Sequence, residues 1–225
     1  RRPSALGVAR LLLGGGYLAL PPIPGMLLEL GLIMLPNLVL PVLALRSHAF
    51  GQQIHPRQAL GWAGPGIRAA VWGVGAFALI YAANGLIERT VGSGIPYHSP
   101  GSSSPVQASG PWSVLGLVLL VLVFVMVTVV GEETMFRGFI QGQVASRLGP
   151  WAGLALAALL FGLRHLPADV FYATAWSASA SMWASRQLQL YVAGLVLGVA
   201  RLGGRSTYAS AITHALLLLA ALLGL

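Results

Sequence analysis

The chain is organised around apolar runs that are about as long as a membrane is thick. Trp112–Val130 and Ala69–Ile87 are 19 residues each without a charge, and Met26–Leu45 is 20 residues interrupted only by Glu29. A helix needs about 20 apolar residues to cross the hydrocarbon core of a bilayer. Shorter apolar segments follow, namely Trp151–His165, Leu188–Ala200 and Tyr208–Leu225. The pattern predicts an all-α, polytopic transmembrane bundle of about six to eight membrane helices.

Polar residues and helix breakers divide these runs. Arg46–Arg68 carries three arginines and is predicted to be a cytoplasmic loop, because such loops carry an excess of basic residues. Ser93–Pro111 is uncharged and rich in Gly, Ser and Pro, which is typical of an outer loop with little order. The basic and then apolar opening, Arg1–Leu20, is interpreted as a first or partial span. With no internal repeat, residues 1–225 are predicted to form a single transmembrane domain.

The side of the membrane reached by the last basic residues stays open. The helix that begins near Trp151 is expected to stop before Pro167. Val170–Ala184 is small, hydroxylated and aromatic, and it fits either a span or an interfacial segment. A span and an interfacial segment would place the chain that follows on opposite sides of the membrane. The sequence therefore does not decide on which side Arg201 and Arg205 lie.

Composition supports the membrane class and excludes several others. The chain is 56% hydrophobic and 8% charged, against about 25% charged residues in a soluble domain. Its mean hydropathy is +0.80. The net charge is +8, and every basic residue apart from histidine is an arginine. The arginines are scattered through predicted loops, which favours membrane lipids as partners and argues against nucleic acid.

The residue types that are missing narrow the possible chemistry. There is no cysteine, so disulfides, thiolate metal sites and cysteine nucleophiles are excluded. There is no lysine for a Ser–Lys dyad, and Asp169 is the only aspartate, which rules out an intramembrane aspartate pair. No cofactor or metal site is assigned. Ionisable residues within membrane helices are costly, and the few that occur here are functional candidates by default.

The stretch GEETMFRG concentrates charge directly after an uncharged run. Glu133 and Arg137 are four residues apart, so they share one face of an α-helix and are expected to pair. Glu132 is displaced by about 100° around the helix and is not expected to share that face. We therefore expect Glu133 to be structural and Glu132 to be chemically available. A helix running from Trp112 to Leu148 would measure about 55 Å, so it is expected to kink or to protrude from the bilayer.

A turn at Gly149-Pro150 would bring a histidine to the same depth. Glu132 lies about 26 Å before this turn and His165 about 23 Å after it, if both flanking segments are helical. His214, near the start of the last helix, can approach from a third direction. A carboxylate and imidazoles at one level suit the activation of water against a carbonyl. Arg164, beside His165, is interpreted as an interfacial residue.

Three motifs in this order resemble a known family. EETMFR, from Glu132 to Arg137, matches EExxxR; FGLRH, from Phe161 to His165, matches FxxxH; and SAITHALLL surrounds His214. Together they resemble the type II CAAX prenyl endopeptidases, which include the Ras-converting enzymes and their bacterial relatives, the CPBP or Abi proteins. The resemblance covers roughly Val114–Leu225, so the core that carries the motifs is about residues 112–225.

The resemblance implies an intramembrane endopeptidase that cleaves near the C-terminus of a membrane-associated, prenylated substrate. Glu132 and His165 would activate water, and His214 would stabilise the oxyanion, with Glu133, Arg137 and Phe161 in supporting roles. The implied cavity opens to the cytoplasmic side of a bacterial or archaeal cell membrane. One position departs from the family pattern: an asparagine is expected four residues after the last histidine, and this chain has Leu218.

Two alternatives belong to other classes. A zinc-dependent membrane protease would use the same glutamates and histidines as ligands or base, although the Glu133–Arg137 pair would compete for one ligand. A non-catalytic membrane scaffold or immunity protein would keep the fold without hydrolysis, and Leu218 favours that alternative. A proton-coupled carrier is disfavoured, because few ionisable groups lie outside this cluster.

Overall fold

The described part of the chain is helical throughout. The computed structural model describes residues 35–48, 56–62, 64, 66–92, 126–176 and 179–223. The helices in these ranges are α1 (Leu35–His48), α2 (Pro56–Ala59), α3 (Ile67–Thr90), α4 (126–148), α5 (Pro150–Trp176), α6 (Ala180–Gly204) and α7 (Thr207–Leu223). No strand occurs within these ranges, which confirms the all-α class.

Among the described helices, α3 alone is long and apolar enough to cross a bilayer by length and composition. It contains the predicted run Ala69–Ile87. The runs Met26–Leu45 and Trp112–Val130 lie only partly inside the described residues, and the predicted segments Arg1–Leu20 and Ser93–Pro111 lie outside them. The count of six to eight spans and the single domain therefore remain predictions.

Two predicted boundaries were wrong. The helix expected to stop before Pro167 continues to Trp176, as α5. Proline removes one backbone donor, but helices of membrane proteins tolerate it when neighbouring groups satisfy the freed carbonyl. The predicted loop Arg46–Arg68 also contains the end of α1 and the short helix α2. The segment Val170–Ala184 holds the end of α5 and the start of α6, so it is not a separate span, and its interfacial position stays a prediction.

The helices α4 to α7 follow one another with short connections, and α3 packs on α6 and α7. Small residues allow close approach where the helices cross. A Cβ on Gly194 of α6 would lie 2.9 Å from Ala158 Cα of α5, and a Cβ on Gly73 of α3 would lie 2.9 Å from the Ala209 carbonyl oxygen of α7. Thr213 Oγ1 then donates to the Gly73 carbonyl oxygen at 2.8 Å. Backbones held at this distance fix the relative height of the helices.

One end of the bundle collects arginine side chains. Arg68 Nε donates to the Gly203 carbonyl oxygen at 2.6 Å, which places the start of α3 beside the end of α6. Arg57 Nη2 donates to the Tyr208 hydroxyl at 3.3 Å, in the first turn of α7. The described arginines at this end, called the arginine end below, are Arg57, Arg68, Arg147, Arg201 and Arg205. Arg201 and Arg205 thus lie at the same end of the described bundle as Arg57 and Arg68.

Candidate active site

The first motif lies in a π-helical segment inside α4. Residues 126–132 are α-helical, Glu133–Ile140 form a π-helix, and Gln141–Leu148 are α-helical again. The π-helical segment packs against α1, α5, α6 and α7, so it is the central element of the described bundle. Such segments are rare and often occur at functional sites. The long helix predicted to kink or protrude is continuous from 126 to 148, with its hydrogen-bonding pattern altered in the middle.

Both glutamates approach the same histidine. His214 Nδ1 lies 2.8 Å from Glu133 Oε1, and its Nε2 lies 3.9 Å from Glu132 Oε2. The two carboxylates therefore share His214 as a partner, which the separation expected around an α-helix did not predict. A π-helix has a wider turn than an α-helix, so consecutive side chains diverge less than the 100° assumed for α-helical geometry. The imidazole of α7 fills the space between the two carboxylates.

Glu133 forms the buried part of the cluster. Its side chain is fully buried and its Oε1 lies 3.4 Å from Arg137 Nη1, so the structure contains the pair expected from the four-residue spacing. Arg137 is also buried, its Nη2 donates to the Gly194 carbonyl oxygen at 3.5 Å, and its guanidinium carbon lies 4.4 Å from the centre of the Phe161 ring. Glu133 thus connects a buried cation to His214, as a positioning residue would.

Glu132 has a cation of its own, which the sequence did not predict. Arg164 Nη1 donates to Glu132 Oε1 at 2.6 Å, across the hairpin of α4 and α5. Arg164 lies within helix α5 and not in a loop, and this short ion pair is a contact that its interpretation as a loop or interfacial residue did not include. It also shows that Glu132 is not left without a cationic partner, although only one of its two oxygens is used in this contact. The signal in the sequence was an arginine beside the FxxxH histidine, at the depth calculated for Glu132.

The second motif contributes aromatic contacts. Phe161 is buried, and its ring centre lies 5.2 Å from that of His165 and 6.2 Å from that of His214. One aromatic ring therefore contacts both imidazoles. His165 is partly buried, and Arg186 of α6 acts on it electrostatically together with Arg164. The hairpin geometry inferred from the turn at residues 149 and 150 thus places the FxxxH motif at the level of the glutamates.

Further contacts come from residues that sequence reasoning missed. Trp62 Nε1 donates to Thr134 Oγ1 at 3.1 Å, directly beside Glu133 in sequence. The turn that carries Trp62 is anchored on α7, because Thr207 Oγ1 donates to the Leu60 carbonyl oxygen at 2.7 Å. A Cβ on Gly138 would lie 2.8 Å from the same carbonyl oxygen, so only glycine leaves room for this turn. No motif links these positions, and they meet only because the helices pack.

Leu218 occupies the place where the resemblance implies an asparagine. Its side chain packs, together with Trp62, against the buried pair Val129 and Ala211. An apolar side chain in this cluster offers no hydrogen-bond donor to a reacting oxygen. The departure from the family pattern is therefore a real difference in the chemistry of the site.

A metal site is not formed by the described donors. Within the ranges that the structure describes, no three His, Asp or Glu side chains are grouped so that they would hold a metal ion. Each glutamate oxygen named above faces an arginine or His214, and an arginine competes with a cation for a carboxylate. The zinc alternative therefore finds no support in the arrangement of these donors.

The comparison with family models agrees with this geometry. Residues 114–219 match the family described as Type II CAAX prenyl endopeptidase Rce1-like. This match contains all three motifs and every residue to which the sequence assigned a catalytic or supporting role. The resemblance is confirmed by this match over residues 114–219, and proteins of that family are typically membrane-integral peptidases. Neither curated proteins nor solved structures give a match.

Proposed function

We propose that this protein is a glutamate-type intramembrane endopeptidase that cleaves a membrane-associated substrate near its C-terminus. The observation that carries the proposal is the closed cluster of Glu132, Glu133 and His214, buried inside the region that matches the Rce1-like family. Prenylation of the substrate is what the family implies. The enzyme needs no metal in this proposal, because the acid–base work is done by side chains.

The gap between Glu132 and His214 suits a water molecule. The 3.9 Å between Oε2 and Nε2 is too long for a direct hydrogen bond. A water placed about 2.8 Å from each atom would see them at an angle of about 90°, which a bridging water accepts. Glu132 Oε2 takes a proton from this water while the water oxygen attacks the substrate carbonyl carbon. The C–N bond then breaks, and the leaving nitrogen takes the proton from Glu132.

His165 and His214 have different roles in this proposal. His165 orients the water from the α5 side, as the family pattern implies. His214 stabilises the oxyanion when both of its nitrogens carry protons, with Nδ1–H donating to Glu133 and Nε2–H directed to the Glu132 side.

The site is proposed to face the cytoplasm. Basic residues are enriched on the cytoplasmic side of membrane proteins, and the arginine end carries five of them. His214 is seven residues beyond Thr207, the first residue of α7, or about 10 Å from that end at 1.5 Å per residue. A substrate C-terminus would have to enter the bilayer by about two helical turns. The proposed location is a bacterial or archaeal cell membrane.

The non-catalytic alternative rests on one observation, the apolar packing of Leu218. Loss of one oxyanion donor lowers rates by about 10²–10³, which leaves a slow enzyme rather than none. The single donor of Trp62 is used on Thr134 Oγ1, and the hydroxyl of Thr134, next to Glu133 in sequence, keeps its own proton to donate. We therefore favour hydrolysis, and the alternative is decided by the following experiment.

The test is cleavage of prenylated and unprenylated peptide libraries by the purified protein in lipid, with and without a chelator. Glu132→Ala is the variant, and Glu88→Ala is its matched control, because Glu88 is exposed near the end of α3. The proposal expects chelator-resistant cleavage that is lost in Glu132→Ala and kept in Glu88→Ala. Cleavage abolished by the chelator would support the zinc protease. Cleavage of neither library would support the scaffold.

A further inference from the structure

Arg164 is the accessible member of the buried charge cluster. The side chain of Glu132 is 3% exposed and that of Glu133 is 0% exposed, whereas the side chain of Arg164 is 18% exposed. A solute that approaches the predicted base therefore meets a guanidinium before it meets a carboxylate. Arginine presents a planar fork of donors that matches a carboxylate. Its present partner, Glu132 Oε1, is itself a carboxylate at 2.6 Å.

We propose that Arg164 binds the free C-terminal carboxylate of the peptide substrate, exchanging Glu132 for it. The exchange replaces one carboxylate on the guanidinium by another, so the number of ion pairs is unchanged. Both oxygens of Glu132 then become available to the water. The second half of this inference rests on the proposed function, whereas the first concerns binding alone.

The charges around the site favour an anionic group. Three guanidiniums act on the cluster, those of Arg137 on α4, Arg164 on α5 and Arg186 on α6. A carboxylate that enters the site therefore meets cations from three helices. A charge arrangement of this kind selects between partners as well as attracting them.

The length of an extended substrate peptide is compatible with cleavage near its C-terminus. An extended peptide covers about 3.3–3.6 Å per residue, so a carboxylate one to three residues beyond the cleaved bond lies about 4–10 Å away. Arginine is long and flexible, and Arg164 is near the middle of α5 with part of its side chain exposed. Binding of the C-terminal carboxylate by Arg164 would therefore place the cleaved bond one to three residues before the C-terminus.

The experiment measures binding separately from hydrolysis. The probes are two farnesylated peptides that end in Cys-Val-Ile-Met, one with a free C-terminal carboxylate and one with a C-terminal amide. The peptide bond after the cysteine is replaced by CH2–NH in both, so that neither is cleaved. Binding to the full chain in lipid nanodiscs is followed by fluorescence anisotropy. Arg164→Gln and Arg164→Lys are the variants, and Arg147→Gln, at the exposed end of α4, is the matched control.

The wild type and Arg147→Gln are expected to bind the acid about tenfold more tightly than the amide, which is typical of one partly exposed charge pair. In Arg164→Gln the ratio of the two affinities, acid over amide, is expected to fall to near one, and in Arg164→Lys this ratio is expected to be intermediate. Equal binding of acid and amide by the wild type, binding of neither, or a preference that survives in Arg164→Gln would overturn the inference. If Arg164→Gln does not fold, the acid-to-amide affinity ratios of the wild type and of Arg164→Lys still test the inference. An acid preference without hydrolysis of the natural peptides would refute the proposed function and leave the carboxylate site standing.

Discussion

Replacing Glu133 by glutamine tests whether this residue holds the site together. Glu133→Gln keeps the shape of the side chain and removes its charge. Arg137 would then remain buried with contacts that do not neutralise it, namely the Gly194 carbonyl oxygen at 3.5 Å and the Phe161 ring at 4.4 Å. His214 would keep an acceptor, because the glutamine amide oxygen still accepts from Nδ1–H. The main loss is therefore the charge of the buried ion pair.

The magnitude follows from the burial of both partners. Removing one member of a buried ion pair costs about 3–5 kcal/mol, because the other charge stays in a poorly solvating environment. We expect about 3 kcal/mol for Glu133→Gln, since the hydrogen bond to His214 is retained. Arg137→Met should cost a similar amount by leaving Glu133 charged. The double variant removes both charges, so it should be more stable than the sum of the single changes predicts by about 2 kcal/mol or more.

Unfolding by SDS in mixed micelles, followed by tryptophan fluorescence, measures these free energies. Glu88→Gln is the matched control, because Glu88 is exposed and accepts a hydrogen bond from Gln189 at 3.1 Å. A surface change of this kind should stay within about 0.5 kcal/mol. The reasoning is refuted if Glu133→Gln is no more destabilising than Glu88→Gln. It is also refuted if the two single changes add without coupling.

Other substitutions test the packing and the departure from the family pattern. Gly194→Ala should destabilise the bundle by about 1–3 kcal/mol in the same assay, because its Cβ would lie 2.9 Å from Ala158 Cα. Gly75→Ala is the control, and it should be neutral or slightly stabilising, because its Cβ would meet no atom within 4 Å. Equal effects of the two would contradict the close helix contact. Leu218→Asn should raise the turnover of a cleaved peptide by about tenfold or more if a missing donor limits the rate, while burial of the amide lowers stability by about 1–3 kcal/mol. An unchanged or lower turnover in a folded Leu218→Asn protein would show that another group already serves the oxyanion.

The sequence was most informative where a feature depends on local spacing. The apolar runs predicted the helices, and the four-residue interval predicted the Glu133–Arg137 pair. Helix rise and the position of the turn before α5 placed the second motif at the depth of the glutamates. The structure shows that depth directly through the Arg164–Glu132 contact. These inferences hold because helical geometry converts residue number into height with little influence from the rest of the fold.

Local spacing failed where backbone geometry was altered by packing. The separation of Glu132 from Glu133 was calculated for an α-helix, but Glu133–Ile140 is π-helical. The early end expected for α5 came from a proline rule that a packed membrane helix can override. In both cases a local preference, which is weak, gave way to contacts with neighbouring helices.

The sequence by itself determined the class of the protein, its helical architecture and the candidates for its reactive residues, because these follow from composition, periodicity and motif order. Only the tertiary structure decided that Glu132 meets Arg164 and that His214 lies between the two carboxylates. His214 and Glu133 are 81 positions apart, and Trp62 and Thr134 are 72 apart. Contacts over such separations depend on how whole helices cross, and small residues such as Gly194 set those crossings through steric fit. No residue spacing along one helix encodes them, so the pairing of Arg164 with the predicted base appears only once the bundle is assembled.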